Sequence, residues 1–344
     1  MTIELKRELN ELNVLNPASV FILVDSNTKQ LCLPLLLKEE EYLRDAKIIE
    51  IPAGDTNKTL KTLTDVWDFL SKNNASRKSL MINLGGGMVT DLGGFAASTF
   101  KRGMEYINIP TTLLGAVDAA VGGKTGINFN GLKNEIGVIN PAKSVLIDTV
   151  FFKTLDRQNF LSGFAEMIKH GLISSPDVWK HILQFPLDEI DYDRLSILIE
   201  ESIKVKESIV EQDPTEKNIR KALNFGHTIG HAFESYAMES GNPVLHGYAV
   251  AWGMIVELYL SYKKMGFPKD ELQRAIYLIK ENYGAQPVSC KQYEQLYTLM
   301  THDKKNEGDG QILFSLLAAI GDIHINTTVE KKEIFEALDF YREI

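Results

Sequence analysis

The segment "SLMINLGGGMVTD", residues 79–91, sets the architecture expected for the first half of the chain. An apolar run of strand length is followed by three glycines and then by a helical pattern. Backbone N–H groups at the start of such a helix can bind a pyrophosphate. The segment departs from the G-x-G-x-x-G fingerprint, because Thr90 stands where the third glycine would be. Alone, it fits either a dinucleotide site or a plain tight turn.

Strand, turn and helix alternate through the rest of the first half. The other strand-like runs are "SVFILVDSN", "KIIEIPAGD", "EYINIPTT" and "SVLIDT". This alternation predicts a Rossmann-like parallel sheet with helices on both faces. We therefore expect a nucleotide-binding α/β domain over residues 1–158 and a mainly α-helical domain over residues 159–344. The active site is expected where the carboxyl ends of the strands meet the second domain.

Composition and charge restrict the function classes. The chain has 344 residues, 44% of them hydrophobic, and a formal net charge of −9. An acidic chain is a poor partner for nucleic acids and anionic membranes, and an anionic substrate would require a local basic pocket. Cys32 and Cys290 are far apart and form no CxxC motif, which favours a reducing compartment. No transmembrane-length apolar run and no signal-peptide core are visible, so we expect a cytoplasmic protein.

The segment "RKALNFGHTIGHAFE", residues 220–234, predicts one continuous helix. Arg220, Asn224, His227 and His231 then fall on a single stripe, since their spacings match the helical period. A stripe at this period normally carries the apolar side chains that face the core. Here it carries a cation, an amide and two imidazoles, which indicates that it faces a functional site.

Histidines of this segment and of its neighbours suggest a metal site. His227 and His231 have the i, i+4 spacing of helical zinc sites, although a single histidine is more often a hydrogen-bonded core residue than a ligand. A further candidate is His246, in "VLHGYAV". Glu166 interrupts the apolar helix of "GFAEMIKHG" and would supply the carboxylate of a site with three protein ligands; Lys169 shares its face. Periodicity leaves open whether the third ligand is His231 or His246.

The glycine-rich segment "VGGKTG" resembles a Walker A motif but does not satisfy it. The motif requires a glycine at the position of Asp118. Lys124 is therefore expected in a flexible glycine loop that is not a P-loop. Lys124, Lys133 and Lys169 lie in or beside motif-like segments. They fit either solvated surface, as most lysines do, or a clamp for phosphate and carboxylate groups.

Seven segments, taken in order, are similar to those of the 3-dehydroquinate synthase family of the shikimate pathway. They are "GGGMVTDLGGFAASTFKRG", "IPTTLLGAVDAAVGGKTGIN", "LKNEIG", "LSGFAEMIKHGLI", "LNFGHTIGHAFE", "LHGYAVAWGM" and "DKKN". The resemblance covers nearly the whole chain. It implies a homodimeric lyase of aromatic amino acid biosynthesis that converts 3-deoxy-D-arabino-heptulosonate 7-phosphate into 3-dehydroquinate and phosphate. NAD would be reduced and reoxidised within each turnover, and the divalent metal would be zinc, with cobalt as a substitute.

The resemblance also implies roles for individual residues. The metal ligands would be Glu166, His227 and His246. The NAD contacts would be Asp25, Asn27, Asp55, Lys58, Gly86, Gly87, Met88, Asp91, Thr111, Thr112, Lys124, Lys133, Phe151 and Thr154. The catalytic and substrate-binding residues would be Asp118, Lys124, Lys133, Asn134, Lys169, Lys206, Arg220, Asn224, His231 and a lysine of "DKKN", taken as Lys305. Arg102 would cross the dimer to the phosphate bound by the neighbouring subunit.

The chain departs from the family pattern in three places. "AGD" replaces the usual "DGE", so Asp55 must reach a ribose hydroxyl with one methylene less. "QDPTEKN" replaces an acidic, glycine-containing stretch, although the spacing from Lys206 to Arg220 is kept. The loop from His231 to His246 looks short. These departures bear on cofactor affinity and loop shape more than on the reaction.

Three other functions fit parts of the pattern. A sister sugar-phosphate cyclase that makes an inosose or a valiolone would keep NAD, metal and fold but change the substrate contacts. "LKNEIG", Arg220 and "DKKN" favour a substrate that carries a carboxylate. An NAD-dependent polyol dehydrogenase would need no phosphate-binding lysines and would accumulate NADH. A non-catalytic binding protein would have no reason to keep the polar set together.

Overall fold

The computed structural model describes residues 2–12, 16–130, 132–301 and 311–344. The chain divides into two compact units, Met1–Asp156 and Arg157–Ile344, which are called unit 1 and unit 2 below. Unit 1 contains α1 (Thr2–Glu11), β1 (Val20–Asp25), α2 (Ser26–Leu31), α3 (Leu33–Glu39), β2 (Lys47–Ile51), α4 (Leu60–Lys72), β3 (Leu80–Gly85), α5 (Gly87–Thr99), β4 (Glu105–Pro110), β5 (Lys124–Phe129), β6 (Leu132–Ile139) and β7 (Ser144–Val145). Unit 2 contains α6 (Arg157–Ser174), α7 (Pro176–Leu183), α8 (Tyr192–Gln212), α9 (His227–Glu239), α10 (His246–Met265), α11 (Lys269–Tyr283), α12 (Tyr293–Thr301), β8 (Leu313–Ala319), β9 (Asp322–Thr328) and α13 (Lys331–Glu343).

The main sheet of unit 1 is parallel, with strand order β2-β1-β3-β4-β7. From β1 the chain passes to β2 on one side and then to β3 on the other, so the strand order reverses between β1 and β3. Open α/β sheets bind their ligands at such a switch point, outside the carboxyl ends of the strands. Those ends are Asp25 on β1 and Gly85 on β3. The predicted Rossmann-like domain is confirmed.

Both faces of this sheet are covered by helices. Residues of β1 alternate between two core clusters: Phe21 and Leu23 pack with α4 and α5, whereas Ile22 and Val24 pack with α1 and α3. A strand that is buried on both faces reads as a continuous apolar run, which is why "VFILV" carries no polar residue. Each fully buried side chain of this size contributes about 1.5–3 kcal/mol, and this packing fixes the positions of the strand ends.

Strands β5 and β6 form an antiparallel hairpin, where we had expected a flexible glycine loop around Lys124. The expectation was wrong because the glycines serve strand pairing. A Cβ added to Gly137 would lie 2.0 Å from the carbonyl oxygen of Thr125, so only glycine permits this approach of the two backbones. Lys124 is therefore the exposed first residue of β5. The side chains of β6 are exposed along its whole length.

Unit 2 is mainly helical, as predicted, with α10 buried along most of its length. The hairpin of β8 and β9 was not predicted; it turns at Gly321, whose φ of +80° suits glycine. No helix among the described residues is long and apolar enough to span a membrane. Glu257, which interrupts the apolar run of α10, is fully buried and forms hydrogen bonds with a neighbouring helix.

The predicted continuous helix over residues 220–234 is wrong. Residues Ile219–Asn224 form a 3₁₀ helix, and α9 begins at His227. The break lies at Gly226, which has a φ of +80°, a left-handed conformation that ends helical continuity. A Cβ at this position would lie 2.5 Å from Met254 Cγ, so the residue must be glycine. The polar stripe is thus divided between two short elements.

Candidate functional site

The first part of the candidate site is the start of α5, at the switch point of unit 1. The N-cap of α5 is Gly86, so the helix has no capping side chain of its own. A Cβ on Gly86 would lie 2.9 Å from Thr112 Cγ2, and one on Gly87 would lie 2.9 Å from Ala119 Cβ. Thr111 N–H donates to the carbonyl of Gly85 at 2.9 Å and holds the next loop against this turn. A glycine turn at a helix start can bind a dinucleotide pyrophosphate through its backbone N–H groups.

The neighbouring strand end carries Asp25 and Asn27. Asp25 caps α2, because its Oδ1 accepts the backbone N–H groups of Asn27 at 2.9 Å and Thr28 at 2.8 Å. Both predicted residues therefore lie beside the switch point. Two more predicted residues lie in the 3₁₀ helix Phe151–Thr154, where the Thr154 hydroxyl donates to the carbonyl of Phe151 at 2.6 Å.

Lys58 joins three predicted residues of unit 1. Its buried Nζ lies 2.9 Å from Asp91 Oδ2, 2.5 Å from Asn134 Oδ1 and 3.5 Å from Asp55 Oδ1. Lys133 Nζ lies 3.6 Å from the other oxygen of Asp55. Burial raises the pKa of Asp91, and the ammonium of Lys58 acts against this rise. The structure thus assembles five predicted residues from three separate segments.

The remaining predicted residues of unit 1 have less specific surroundings. Met88, on α5, is partly buried against the core. Asp118 lies in a π-helical turn, Gly115–Ala119. Arg102 is exposed and has a φ of +68°, next to Lys101 with a φ of +49°.

In unit 2, three helices bring Glu166, His227 and His246 together. Glu166 Oε1 lies 3.5 Å from His227 Nε2 and 3.7 Å from His246 Nε2. Glu166 is fully buried, and among the described residues this oxygen accepts no hydrogen bond. A buried carboxylate oxygen that faces two imidazole nitrogens fits a divalent metal bound between them.

Contacts at Nδ1 orient the imidazoles of His227 and His246. His227 Nδ1 lies 3.1 Å from the carbonyl oxygen of Phe225, and His246 Nδ1 lies 3.2 Å from Glu234 Oε2. These bonds leave each Nε2 directed toward Glu166, the arrangement seen when histidines bind metals. Burial lowers the pKa of His246, but the carboxylates of Glu166 and Glu234 outweigh it and raise the pKa to about 10. Each imidazole is thus held at Nδ1, with Glu166 Oε1 beside its Nε2.

His231 lies in the same cluster. Its ring centroid is 5.4 Å from that of His227 and 5.8 Å from that of His246. The three histidines offer ligand atoms that all lie within 4.8 Å of one another. The three imidazoles are thus close enough to share one metal ion, and Glu166 Oε1 lies within 3.7 Å of two of them, His227 and His246. The contacts at Nδ1 of His227 and His246, and the Glu166 oxygen that accepts no hydrogen bond among the described residues, favour the set of Glu166, His227 and His246.

The other predicted substrate-binding residues of unit 2 have cationic or amide side chains. Lys169 is buried and forms an ion pair with Glu166 Oε2. Burial acts to raise the pKa of Glu166, but the charges of Lys169 and His246 lower it overall. Lys206 on α8 and Arg220 are also buried. Asn224 Nδ2 donates to Glu216 Oε1 at 3.1 Å. The predicted residue Lys305 lies outside the described residues.

Three residues that contact the candidate site residues or cap α9 were not predicted from the sequence. Glu257 caps α9, since its carboxylate accepts the N–H groups of Gly226 at 2.7 Å and Ile229 at 3.2 Å. Its one sequence signal was the interruption of an apolar helix. Glu234 holds His246, and Asn128 binds several predicted residues of unit 1. Neither of these has a local signal, because their partners are distant in sequence.

The chain is similar to known proteins over nearly its whole length. The model of the 3-dehydroquinate synthase N-terminal region matches residues 48–162, and that of the 3-dehydroquinate synthase C-terminal region matches residues 163–306. The 3-dehydroquinate synthase of Parabacteroides distasonis is 55% identical over 341 residues, covering 99% of this chain and 96% of that protein. The 3-dehydroquinate synthase of Clostridium tetani is 42% identical over 293 residues, covering 83% and 76%.

Solved structures of related cyclases have the same fold. A 2-epi-5-epi-valiolone synthase from Streptomyces hygroscopicus, with NAD⁺ and Zn²⁺ bound, superposes with a TM-score of 0.79 at 26% identity, covering 94% of this chain and 91% of that one. A 2-deoxy-scyllo-inosose synthase complexed with carbaglucose-6-phosphate, NAD⁺ and Co²⁺ superposes with a TM-score of 0.82 at 24% identity, covering 97% and 94%.

Proposed function

Since the chain belongs to the 3-dehydroquinate synthase family, we propose that it converts 3-deoxy-D-arabino-heptulosonate 7-phosphate into 3-dehydroquinate and phosphate. It is an enzyme of the lyase class that uses NAD and a divalent metal, zinc or cobalt. The sequence of steps is transient oxidation, elimination of phosphate, reduction and intramolecular aldol closure. The observation that carries the proposal is the buried oxygen of Glu166, which faces His227 and His246 and lacks a hydrogen bond among the described residues.

The proposed metal ligands are Glu166, His227 and His246. When bound, the metal supplies a Lewis acid for the substrate hydroxyls, and NAD supplies a hydride acceptor that is regenerated. Phe225 and Glu234 hold the Nδ1 atoms of the two histidines, so each Nε2 keeps its ligand orientation. Three ligands leave open positions for two adjacent hydroxyls. His231 is then assigned to the substrate phosphate, where an imidazolium is useful.

The cofactor and the anionic substrate have separate binding residues. The bare backbone at Gly86 and Gly87 would hold the pyrophosphate of NAD. The substrate is anionic although the chain carries a net charge of −9, so its cations must act locally. Substrate binding is assigned to Asp118, Lys124, Lys133, Asn134, Lys169, Lys206, Arg220, Asn224 and Lys305. Lys169 and Arg220 are buried cations, and a positive charge within the site favours the phosphate and carboxylate groups of the substrate.

We further propose a cytoplasmic homodimer. The fully exposed strand β6 supports a dimer, because Leu132, Ile136, Val138 and Ile139 are each more than a third exposed. An exposed apolar strand is a natural site for association with a second copy. Arg102, exposed on its strained turn, is proposed to reach the phosphate bound by the neighbouring subunit.

The function is tested by supplying the heptulosonate phosphate with catalytic NAD and zinc, while phosphate and NADH are measured together. We expect phosphate to accumulate with no net NADH, since the hydride returns to the substrate. NADH that rises in step with product would overturn the cyclase assignment and favour a dehydrogenase. Phosphate release from a hexose 6-phosphate alone would point to a sister cyclase.

A further inference from the structure

Asn128 on β5 contacts three residues of the proposed cofactor and substrate sites. Its Nδ2 donates to the carbonyl oxygen of Asp55 at 3.1 Å and to Asp55 Oδ2 at 3.3 Å. Its Oδ1 accepts the backbone N–H of Asn134 at 2.9 Å. Its own N–H donates to the carbonyl of Lys58 at 2.8 Å. One planar amide therefore bridges the segment of Asp55 and the strand that carries Asn134.

A bulge in the hairpin explains this placement. Ile127 pairs with Ile136 and Phe129 pairs with Leu132, so three residues of β6, numbers 133–135, lie opposite the single residue Asn128. Bulges beside active sites redirect side chains, and this one contains Lys133 and Asn134, which are both proposed site residues. Asn134 has a φ of +52°, a left-handed conformation that few side chains adopt readily.

The bulge is held in that conformation from two sides. The backbone N–H of Asn134 is bound by Asn128, and its side-chain oxygen is bound by Lys58 Nζ at 2.5 Å. Lys58 and Asp55 belong to the same segment, which Asn128 also fixes through two carbonyl oxygens. Asn128 therefore holds the cofactor segment and the bulge through different atoms of one side chain.

We propose that Asn128 is a positioning residue that couples the NAD-binding segment at Asp55 to the substrate-binding bulge at Lys133 and Asn134. This inference rests on the roles proposed above for those residues. The amide NH₂ fixes the cofactor side, and the amide oxygen fixes the substrate side. The two halves of one side chain thus have separable effects, which two substitutions can distinguish.

The test compares Asn128→Asp and Asn128→Ala in the full-length protein. The aspartate keeps an acceptor for the N–H of Asn134 but turns an oxygen toward Asp55, whereas the alanine removes both contacts. We expect the Kd of NAD, measured by fluorescence titration without substrate, to rise about ten-fold in both variants. The KM for the heptulosonate phosphate at saturating NAD should rise about ten-fold in Asn128→Ala and less than about two-fold in Asn128→Asp.

Asn140→Ala provides the matched control. Asn140 follows the same hairpin, but its amide donates to Ser98 Oγ at 2.8 Å, outside the proposed site. It should lower the melting temperature without changing the Kd of NAD or the KM. A Kd of NAD that stays within about two-fold of the parent in both Asn128 variants, or that changes equally in the control, would overturn the coupling role. Failure of the parent protein to release phosphate would instead refute the proposed function, and the NAD titration would still decide the role of Asn128.

Discussion

Helices α5 and α9 both begin after a glycine N-cap, but their first turns have different surroundings. At α5, Gly86 has no side chain to cap the helix, and Thr112 and Ala119 pack closely around the turn. At α9, the N–H of Gly226 and that of Ile229 are bound by the buried carboxylate of Glu257. We propose that the positive end of α5 binds an anionic ligand, whereas the positive end of α9 faces a carboxylate of the protein itself.

The two helix starts also offer different chemical groups to a ligand. The start of α5 offers backbone groups, so it suits an anion such as a pyrophosphate. The start of α9 offers the imidazoles of His227 and His231, and an uncompensated positive helix end would oppose a cation there. Glu257 removes that opposition and fixes the first turn of α9. A glycine N-cap, extended at Gly86 and left-handed at Gly226, thus begins both helices, for which we propose anion binding in unit 1 and cation binding in unit 2.

The largest effect is expected from removing one of the proposed metal ligands Glu166, His227 and His246. His246→Ala should abolish metal binding and lower turnover about a thousand-fold or more, because metal Lewis acids supply several kcal/mol of transition-state stabilisation. His231→Ala should retain the metal and lose rate, since His231 is assigned to the substrate. Metal content of the purified proteins is measured by mass spectrometry. A metal-free His231→Ala together with a fully loaded His246→Ala would show that the i, i+4 histidine pair is the true ligand set.

A smaller effect is expected at the start of α5. Gly86→Ala adds a Cβ that would lie 2.9 Å from Thr112 Cγ2, so either the Thr112 side chain or the turn proposed to bind the pyrophosphate must shift. The Kd of NAD should rise about ten-fold, which corresponds to about 1.4 kcal/mol. Gly241→Ala is the control, because no atom lies within 4 Å of the added Cβ and the strain of its φ of +76° affects stability alone. An unchanged Kd of NAD in Gly86→Ala would show that NAD does not bind at this turn.

The smallest effect on turnover is expected from Glu257→Gln. The substitution places an NH₂ donor against a backbone N–H of α9, which leaves a buried donor unsatisfied and should lower the free energy of unfolding by about 1–3 kcal/mol. Chemical denaturation measures this change. Glu234→Gln is the contrasting variant, since Glu234 touches His246: it should weaken metal affinity about 10–100-fold. If Glu257→Gln weakened metal binding more than Glu234→Gln, Glu257 would have to act on the metal directly.

Much of the fold was predictable because its signals are local. The strands β1 to β4 and the helices α4, α5, α6, α8, α10 and α11 follow from apolar runs, their period and their turn residues. The hairpin of β5 and β6 was mistaken for a loop, because its glycines enable close backbone pairing that no local pattern reveals. The hairpin of β8 and β9 was missed altogether.

The residues of the candidate metal cluster were also identifiable, but their arrangement was not. Glu166 and His246 attracted notice as polar residues in or beside apolar helices. The helical stripe from Arg220 to His231 was a misreading, since the period of 3.6 residues holds only within one helix and Gly226 separates two. The structure brings Glu166, His227 and His246 together, although the continuous helical stripe that drew attention to His227 is absent, and their role as ligands stays a prediction.

The sequence alone determined the chemistry available to this protein: a parallel α/β half with a glycine turn, a helical half with carboxylate, imidazoles and lysines, and the family to which they belong. Only the tertiary structure decided that Glu257 caps α9, that Glu234 orients His246, and that Asn128 lies opposite a bulge. The physical reason is distance along the chain. Periodicity and turn propensity act over a few residues, whereas a buried carboxylate or amide finds its partner wherever folding brings an unsatisfied donor or acceptor beside it.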